Sequence, residues 1–161
     1  LNALQFHARD ENDTERLGVA LAAVLQPPVT LALVGTLGAG KTRFAQGLVT
    51  ALGVTREQVV SPTFVLCQQH EGRFRVYHLD AYRLNDDDEF LDLGVEEYFE
   101  APDVVTIIEW SDRVEDCLPE ERIDIHIEVA EGSGRDFTIR SPSPRQCGVI
   151  DALKLRLENF S

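Results

Sequence analysis

The sequence predicts a three-layer α/β fold, with a mixed central sheet flanked by helices, and three observations carry the prediction. Val29-Thr30-Leu31-Ala32-Leu33-Val34 and Val104-Val105-Thr106-Ile107-Ile108 are short, almost wholly apolar runs, as strands covered on both faces should be. Leu17, Ala20, Leu21, Val24 and Leu25 recur at the i, i+3, i+4, i+7, i+8 spacing of a helix that buries one stripe. Ile123-Asp124-Ile125-His126-Ile127-Glu128-Val129 alternates strictly, the pattern of a half-exposed strand.

In chain order, the first helix has Asp13 or Thr14 as its cap and is stopped by Pro27-Pro28. The apolar strand at 29–34 follows, then Gly35, then a helix from about Lys41 to Leu52 closed by Gly53. Residues 63–79 read as a hairpin, with β-rich Thr63-Phe64-Val65-Leu66-Cys67, a turn at Glu71-Gly72 and Phe74-Arg75-Val76-Tyr77-His78-Leu79. A short acidic helix fits 89–99. After the alternating strand, Gly132-Ser133-Gly134 turns the chain into a last strand near 137–139. Ser141-Pro142-Ser143-Pro144 marks a stiff break, and Val149, Leu153, Leu157 and Phe160 give helical spacing to an appended C-terminal helix over about 141–161.

The size of 161 residues suits a single domain over 1–161, and 43% hydrophobic residues supply a core. No run approaches the roughly 18 apolar residues of a membrane span, and the first ten residues lack a leader pattern, so a cytoplasmic location is expected. Cys67, Cys117 and Cys147 are odd in number and far apart, which suits thiols in a reducing compartment. A metal site from Cys67, His70 and His78 is disfavoured, because residues 67 and 70 point to opposite faces of a strand. The formal charge of −13 opposes unaided binding to nucleic acid, whose affinity comes largely from basic side chains displacing counterions. Asp86, Asp87, Asp88, Glu89, Asp92, Glu96, Glu97 and Glu100 form an acidic stretch with no basic residue inside it. A solvated face and a docking surface for a basic partner both explain it.

The chemistry begins at Gly35-Thr36-Leu37-Gly38-Ala39-Gly40-Lys41-Thr42, which matches G-x-x-x-x-G-K-[ST] between an apolar strand and a helix. Glycines let the backbone curl so that successive N–H groups converge on phosphates, and the helix presents its positive end to them. Lys41, expected to face solvent, would reach the β- and γ-phosphates of a nucleotide, and Thr42 would offer its hydroxyl to Mg²⁺. Only Lys41 and Lys154 of the 15 basic residues are lysines, so a compact charge at 41 is against the chain's habit. With the element order, this makes the fold class P-loop NTPase-like.

Such a loop needs a carboxylate at the end of a neighbouring strand. Asp80 ends the 76–79 run and Glu109 ends the 104–108 run, and in this fold class strand ends border the ligand crevice. Core packing and a crevice wall both account for Tyr82 and Trp110.

Taken together, Thr14, the loop from Gly35 to Thr42, Ser61-Pro62-Thr63-Phe64, His78-Leu79-Asp80-Ala81-Tyr82-Arg83-Leu84, Leu93-Gly94-Val95-Glu96-Glu97-Tyr98, Glu109-Trp110 and Arg135 resemble the TsaE (YjeE) family. This is the ATPase component of the bacterial machinery that makes threonylcarbamoyladenosine in tRNA. The resemblance runs from about residue 3 to 140. It implies Lys41 and Thr42 at phosphate and metal, Glu109 completing the magnesium site, and Asp80 as a second catalytic acid. It also implies a mobile segment at 61–64 with Thr63 sensing the γ-phosphate. Thr36 stands where the family has an acid. Thr14 and Arg135 are the candidate contacts to adenine. The implied partners are TsaB and TsaD, with TsaC supplying threonylcarbamoyl-adenylate, and ATP hydrolysis resets the complex between turnovers.

A guanine-reading Asn-Lys-x-Asp motif is absent around both lysines, which favours adenine. The competing readings are a small-molecule P-loop kinase, which would bring more basic residues to the transferred phosphate, and a nucleotide-dependent docking module without essential hydrolysis.

Overall fold

The structure, a computed structural model, describes residues 3–36, 38–54 and 67–159. Seven strands form one mixed sheet in the order β1-β7-β6-β2-β5-β4-β3. They are β1 (Leu4–Ala8), β2 (Val29–Gly35), β3 (Cys67–Glu71), β4 (Arg75–Asp80), β5 (Val104–Glu109), β6 (Arg122–Val129) and β7 (Arg135–Arg140). The strands β6, β2, β5 and β4 run parallel, while β1 and β7 on one edge and β3 on the other join antiparallel.

Helices α1 (Glu11–Val24), α2 (Lys41–Ala51) and α5 (Pro144–Glu158) cover one face of the sheet. They close a core around Leu17, Leu21, Phe44, Leu48 and Leu153 against Leu31, Leu33, Val105, Ile107, Ile123 and Ile125. On the other face α3 (Asp87–Leu91), α4 (Val95–Glu100) and a kinked 3-10 helix (Ser111–Cys117) pack Phe90, Val95 and Val114 on Leu79 and Ile108. This is the expected three-layer α/β arrangement. The buried strands β2 and β5 sit side by side in its centre, as their unbroken apolar runs require.

Several local expectations are corrected. The cap of α1 is Asp10, whose carboxylate accepts from the Asp13 N–H at 3.0 Å. Asp13 lies within the first turn and is bound to Arg9, which holds its carboxyl below the usual carboxylate range. Strand β1 has no counterpart in the sequence reading. The expected hairpin is present, with 67–71 pairing antiparallel to 75–79, and 63–66 lie outside the described residues. The acidic helix is two helices, because Gly94 adopts φ 79° and breaks the run.

That break gives the acids local work. Asp86 caps α3 by accepting from the Glu89 N–H, and Glu89 reaches back to the N–H of Asn85. Asp87, Asp88, Glu96 and Glu97 sit in first turns, where negative charge meets the positive helix end. At the C-terminal break, Ser143 caps α5 and Pro144 occupies its first turn. Val149 and Leu153 are buried as expected, and Phe160 lies outside the described residues. No described helix is long and apolar enough to cross a membrane.

Candidate nucleotide site

The site is built where β2 ends at the centre of the sheet and the chain turns into α2. Gly35 is required there, since a Cβ would stand 2.6 Å from the carbonyl oxygen of Ile127 on β6. Gly38 (φ 81°) and Gly40 (φ 100°) take left-handed conformations that curl the loop. Gly40 is the N-cap of α2 and offers no side chain to the first turn, so the N–H groups there remain available to an anion. Leu37 lies outside the described residues, as do 61–64 with Thr63.

Lys41 does not face solvent. It is 5% exposed, and its ammonium donates to the carbonyls of Gly35 (2.6 Å) and Thr36 (2.9 Å) while lying 4.1 Å from the centre of the Trp110 ring. Trp110 is held over it by a left-handed backbone conformation (φ 60°), a strained state for a tryptophan. Burial pushes the Lys41 ammonium below its ordinary pKa, and the carboxylates of Glu109, Asp112 and Asp80 oppose the shift.

The two strand-end acids stand side by side, because the parallel register pairs Asp80 with Glu109, and both are buried. Glu109 accepts a hydrogen bond from the Thr42 hydroxyl at 3.2 Å through Oε1, and its Oε2 lies 2.6 Å from His78 Nε2. Asp80 Oδ1 accepts from the Tyr82 N–H at 2.9 Å. Tyr82 packs on Trp110 with ring centres 4.8 Å apart, and the Arg113 guanidinium lies 4.9 Å from the Tyr82 ring. Trp110 lines the cavity, and the half-exposed Tyr82 backs it.

From the other side of β2, Arg135 at the start of β7 donates to the carbonyls of Ala39 (3.1 Å), Gly38 (3.2 Å) and Gly134 (2.7 Å). Its fork braces the phosphate loop. Thr14, on α1, is buried with its hydroxyl on the Asp10 carbonyl. These groups enclose one cavity of about 320 Å³, lined by Thr14, the described loop residues 38–42, Asp80, Glu109, Trp110 and Arg135 among others. The expected residues that the structure describes therefore converge, apart from Gly35 and Thr36 beneath the loop. His78 was read only as part of a motif and a disfavoured metal ligand, yet it binds the strand-end acid. The signal was the His-x-Asp spacing on a strand, which puts both side chains on one face.

A hard cation fits this donor set. A hydroxyl and a carboxylate, with a second carboxylate beside them, are oxygen ligands of the kind Mg²⁺ takes together with nucleotide phosphates. Among the described residues no group of three or more His, Cys, Asp or Glu could hold a metal unaided. Cys67, His70 and His78 accordingly form no such site.

A strand, a glycine-curled loop with a lysine and a threonine, and strand-end acids on a mixed α/β sheet define a P-loop nucleotide-binding protein. Comparison narrows this. The family model "Threonylcarbamoyl adenosine biosynthesis protein TsaE" matches residues 8–137. The chain is 37% identical over 132 residues to a tRNA threonylcarbamoyladenosine biosynthesis protein TsaE of Treponema pallidum, covering 82% of this chain and 96% of that one. It is 36% identical over 162 residues to the TsaE protein of Bacillus subtilis, covering 100% and 99%. The crystal structure of Bacillus subtilis YdiB superposes with a TM-score of 0.84 at 31% identity, covering 98% and 97%. The chain belongs to the TsaE family, whose place is in the biosynthesis of threonylcarbamoyladenosine in tRNA.

Proposed function

We propose that this chain binds ATP with Mg²⁺, hydrolyses it, and acts in the cytoplasm with TsaB and TsaD to reset the tRNA-modifying complex between turnovers. The observation that carries the reading is the Thr42–Glu109 hydrogen bond, which brings a hydroxyl at the start of α2 and the strand-end carboxylate together as oxygen donors that would hold Mg²⁺. When bound, Mg²⁺ neutralises phosphate charge and polarises the bond to be broken.

The residues divide the remaining work. The N–H groups of the loop and the first turn of α2 receive the phosphates. Lys41 exchanges the carbonyls of Gly35 and Thr36 for phosphate oxygens, a better partner for a buried ammonium. Asp80, steadied by the Tyr82 N–H, orients the attacking water. Thr14 lies on the α1 side of the cavity, where adenine is received.

Charge on the transferring phosphoryl group is under-served from within. Among the described residues, the basic ones lining the cavity are Lys41, Arg43 and Arg135. Arg43 is paired with Glu11 and Glu15, and Arg135 is tied to loop carbonyls. A cation supplied by a partner contributes about 10³ to 10⁵ in rate in this class, so the chain alone should be a slow ATPase. The same inventory argues against a kinase, which would keep basic groups for its acceptor.

Titration with fluorescent ATP and GTP analogues tests the reading. ATP should bind with Mg²⁺ enhancement and preference over GTP, and Lys41→Ala should lose binding or turnover while remaining folded. Full ATP turnover by Lys41→Ala would remove the mechanism.

A further inference from the structure

A histidine wholly inside a sheet needs a reason, because both ring nitrogens give up water on burial. His78 is 0% exposed. The register that sets Asp80 beside Glu109 sets His78 beside Ile107, so His78 lies diagonally across from Glu109 on the same sheet face. Its Nε2 meets Glu109 Oε2 at 2.6 Å, while its buried Nδ1 has no partner among the described residues. Packing alone would be served better by an apolar side chain at this depth. The engaged nitrogen is the one that faces the acid.

Glu109 is thereby held at both oxygens, by Thr42 from the start of α2 and by His78 from β4. The Nε2–H tautomer of His78 is the one that can donate to a carboxylate here. The terminal torsion of a glutamate is broad, and one hydrogen bond leaves the carboxylate plane free to turn. Two donors on separate elements fix it.

We infer that His78 is a positioning residue, which orients the Glu109 carboxylate beside the Thr42 hydroxyl for the cation that accompanies the nucleotide. The inference rests on the reading of Glu109 as the magnesium acid. His78 acts through Glu109. Removing groups that orient a metal ligand typically lowers metal affinity or activity about 10- to 100-fold.

Three variants test it: His78→Leu keeps bulk without a donor, His78→Asn is polar but too short to reach, and His78→Gln carries an amide N–H near the place of Nε2. The readout is affinity for a fluorescent ATP analogue with Mg²⁺ and with EDTA. In EDTA all three should bind like the wild type. The gain in affinity from Mg²⁺ should fall about 10-fold or more in His78→Leu and His78→Asn, and His78→Gln should restore it to within about threefold. If His78→Leu fails to fold, the Asn and Gln pair decides. An unchanged magnesium gain in a folded Leu or Asn variant overturns the inference, and so does an equal loss in Gln and Asn. Glu109→Gln separates the two readings. If it keeps the magnesium gain, Glu109 is not the acid and both readings fall; if it alone loses the gain, only the role of His78 falls. Adding His78→Leu to Glu109→Gln should bring no further loss of that gain.

Discussion

Gly18→Ala is a small change at the point where α1 and α2 touch backbone to backbone. A Cβ on Gly18 would lie 2.9 Å from the Leu48 nitrogen and 3.1 Å from the Phe44 carbonyl oxygen. The facing Gly47 stands equally close, its own Cβ position 3.1 Å from the Glu15 Cα. Comfortable separations are about 3.5 Å or more, so α2 must retreat by roughly 0.5 Å. Overpacking of this kind costs roughly 1–3 kcal/mol, and alanine returns about 1 kcal/mol of helix propensity. The net destabilisation is about 1 kcal/mol, a fall of roughly 2–4 °C in Tm for a chain of this size. The same shift disturbs the spacing between Thr42, at the head of α2, and Glu109, so the magnesium-dependent part of nucleotide affinity should fall as well. A thermal melt and titration of a fluorescent ATP analogue measure both. A variant more stable than wild type by the propensity gain, with unaltered affinity, would refute the close approach.

Two further outcomes follow from the ionisable groups. Lys41 has its folded pKa below the ordinary 10.5, so the unfolded chain binds the proton more tightly in the interval between the two values. Stability from this group therefore rises with pH just below 10.5 and is reduced at neutral pH; the Tm difference between Lys41→Met and wild type should change across that interval, and a difference independent of pH contradicts the burial argument. Ser143 accepts from the Gln146 N–H and donates to Glu121 at 2.6 Å, so Ser143→Ala should lower Tm by the equivalent of about 1–2 kcal/mol. Glu121 is held below the usual carboxylate range first by that serine. Its contribution is present above the ordinary carboxylate pKa and lost as pH falls through the lower folded value, so the Tm gap between wild type and variant should narrow in acid to the part due to the cap.

What was legible in the sequence was what local chemistry decides. The apolar runs of β2 and β5, the alternation of β6 and the glycines of the phosphate loop each specify their conformation without help from distant residues. Strand β1 was not legible because five residues carry too little pattern and its pairing, Leu4 with Ile139, is made across the whole chain. The cap of α1 was misplaced because Asp10 and Asp13 are equal as capping residues, and it is Arg9 that claims the second. Ser143 followed by Gln146 is a capping pattern, but the prolines on either side of Ser143 made it read as a break. At the site, the identities of Lys41, Asp80 and Glu109 followed from motif and strand ends. The burial of Lys41 did not, since it depends on a tryptophan held in a left-handed conformation, and the brace from Arg135 depends on where β7 begins.

The most direct measurement is tRNA threonylcarbamoylation in a purified system of TsaB, TsaD and TsaC with ATP, comparing this chain with its Lys41→Ala variant over many turnovers. The wild type should sustain repeated rounds per complex, and the variant should stop at about the level reached with the chain omitted. Equal multiple-turnover modification with Lys41→Ala, or without the chain, would contradict a role for its ATP hydrolysis in resetting the complex.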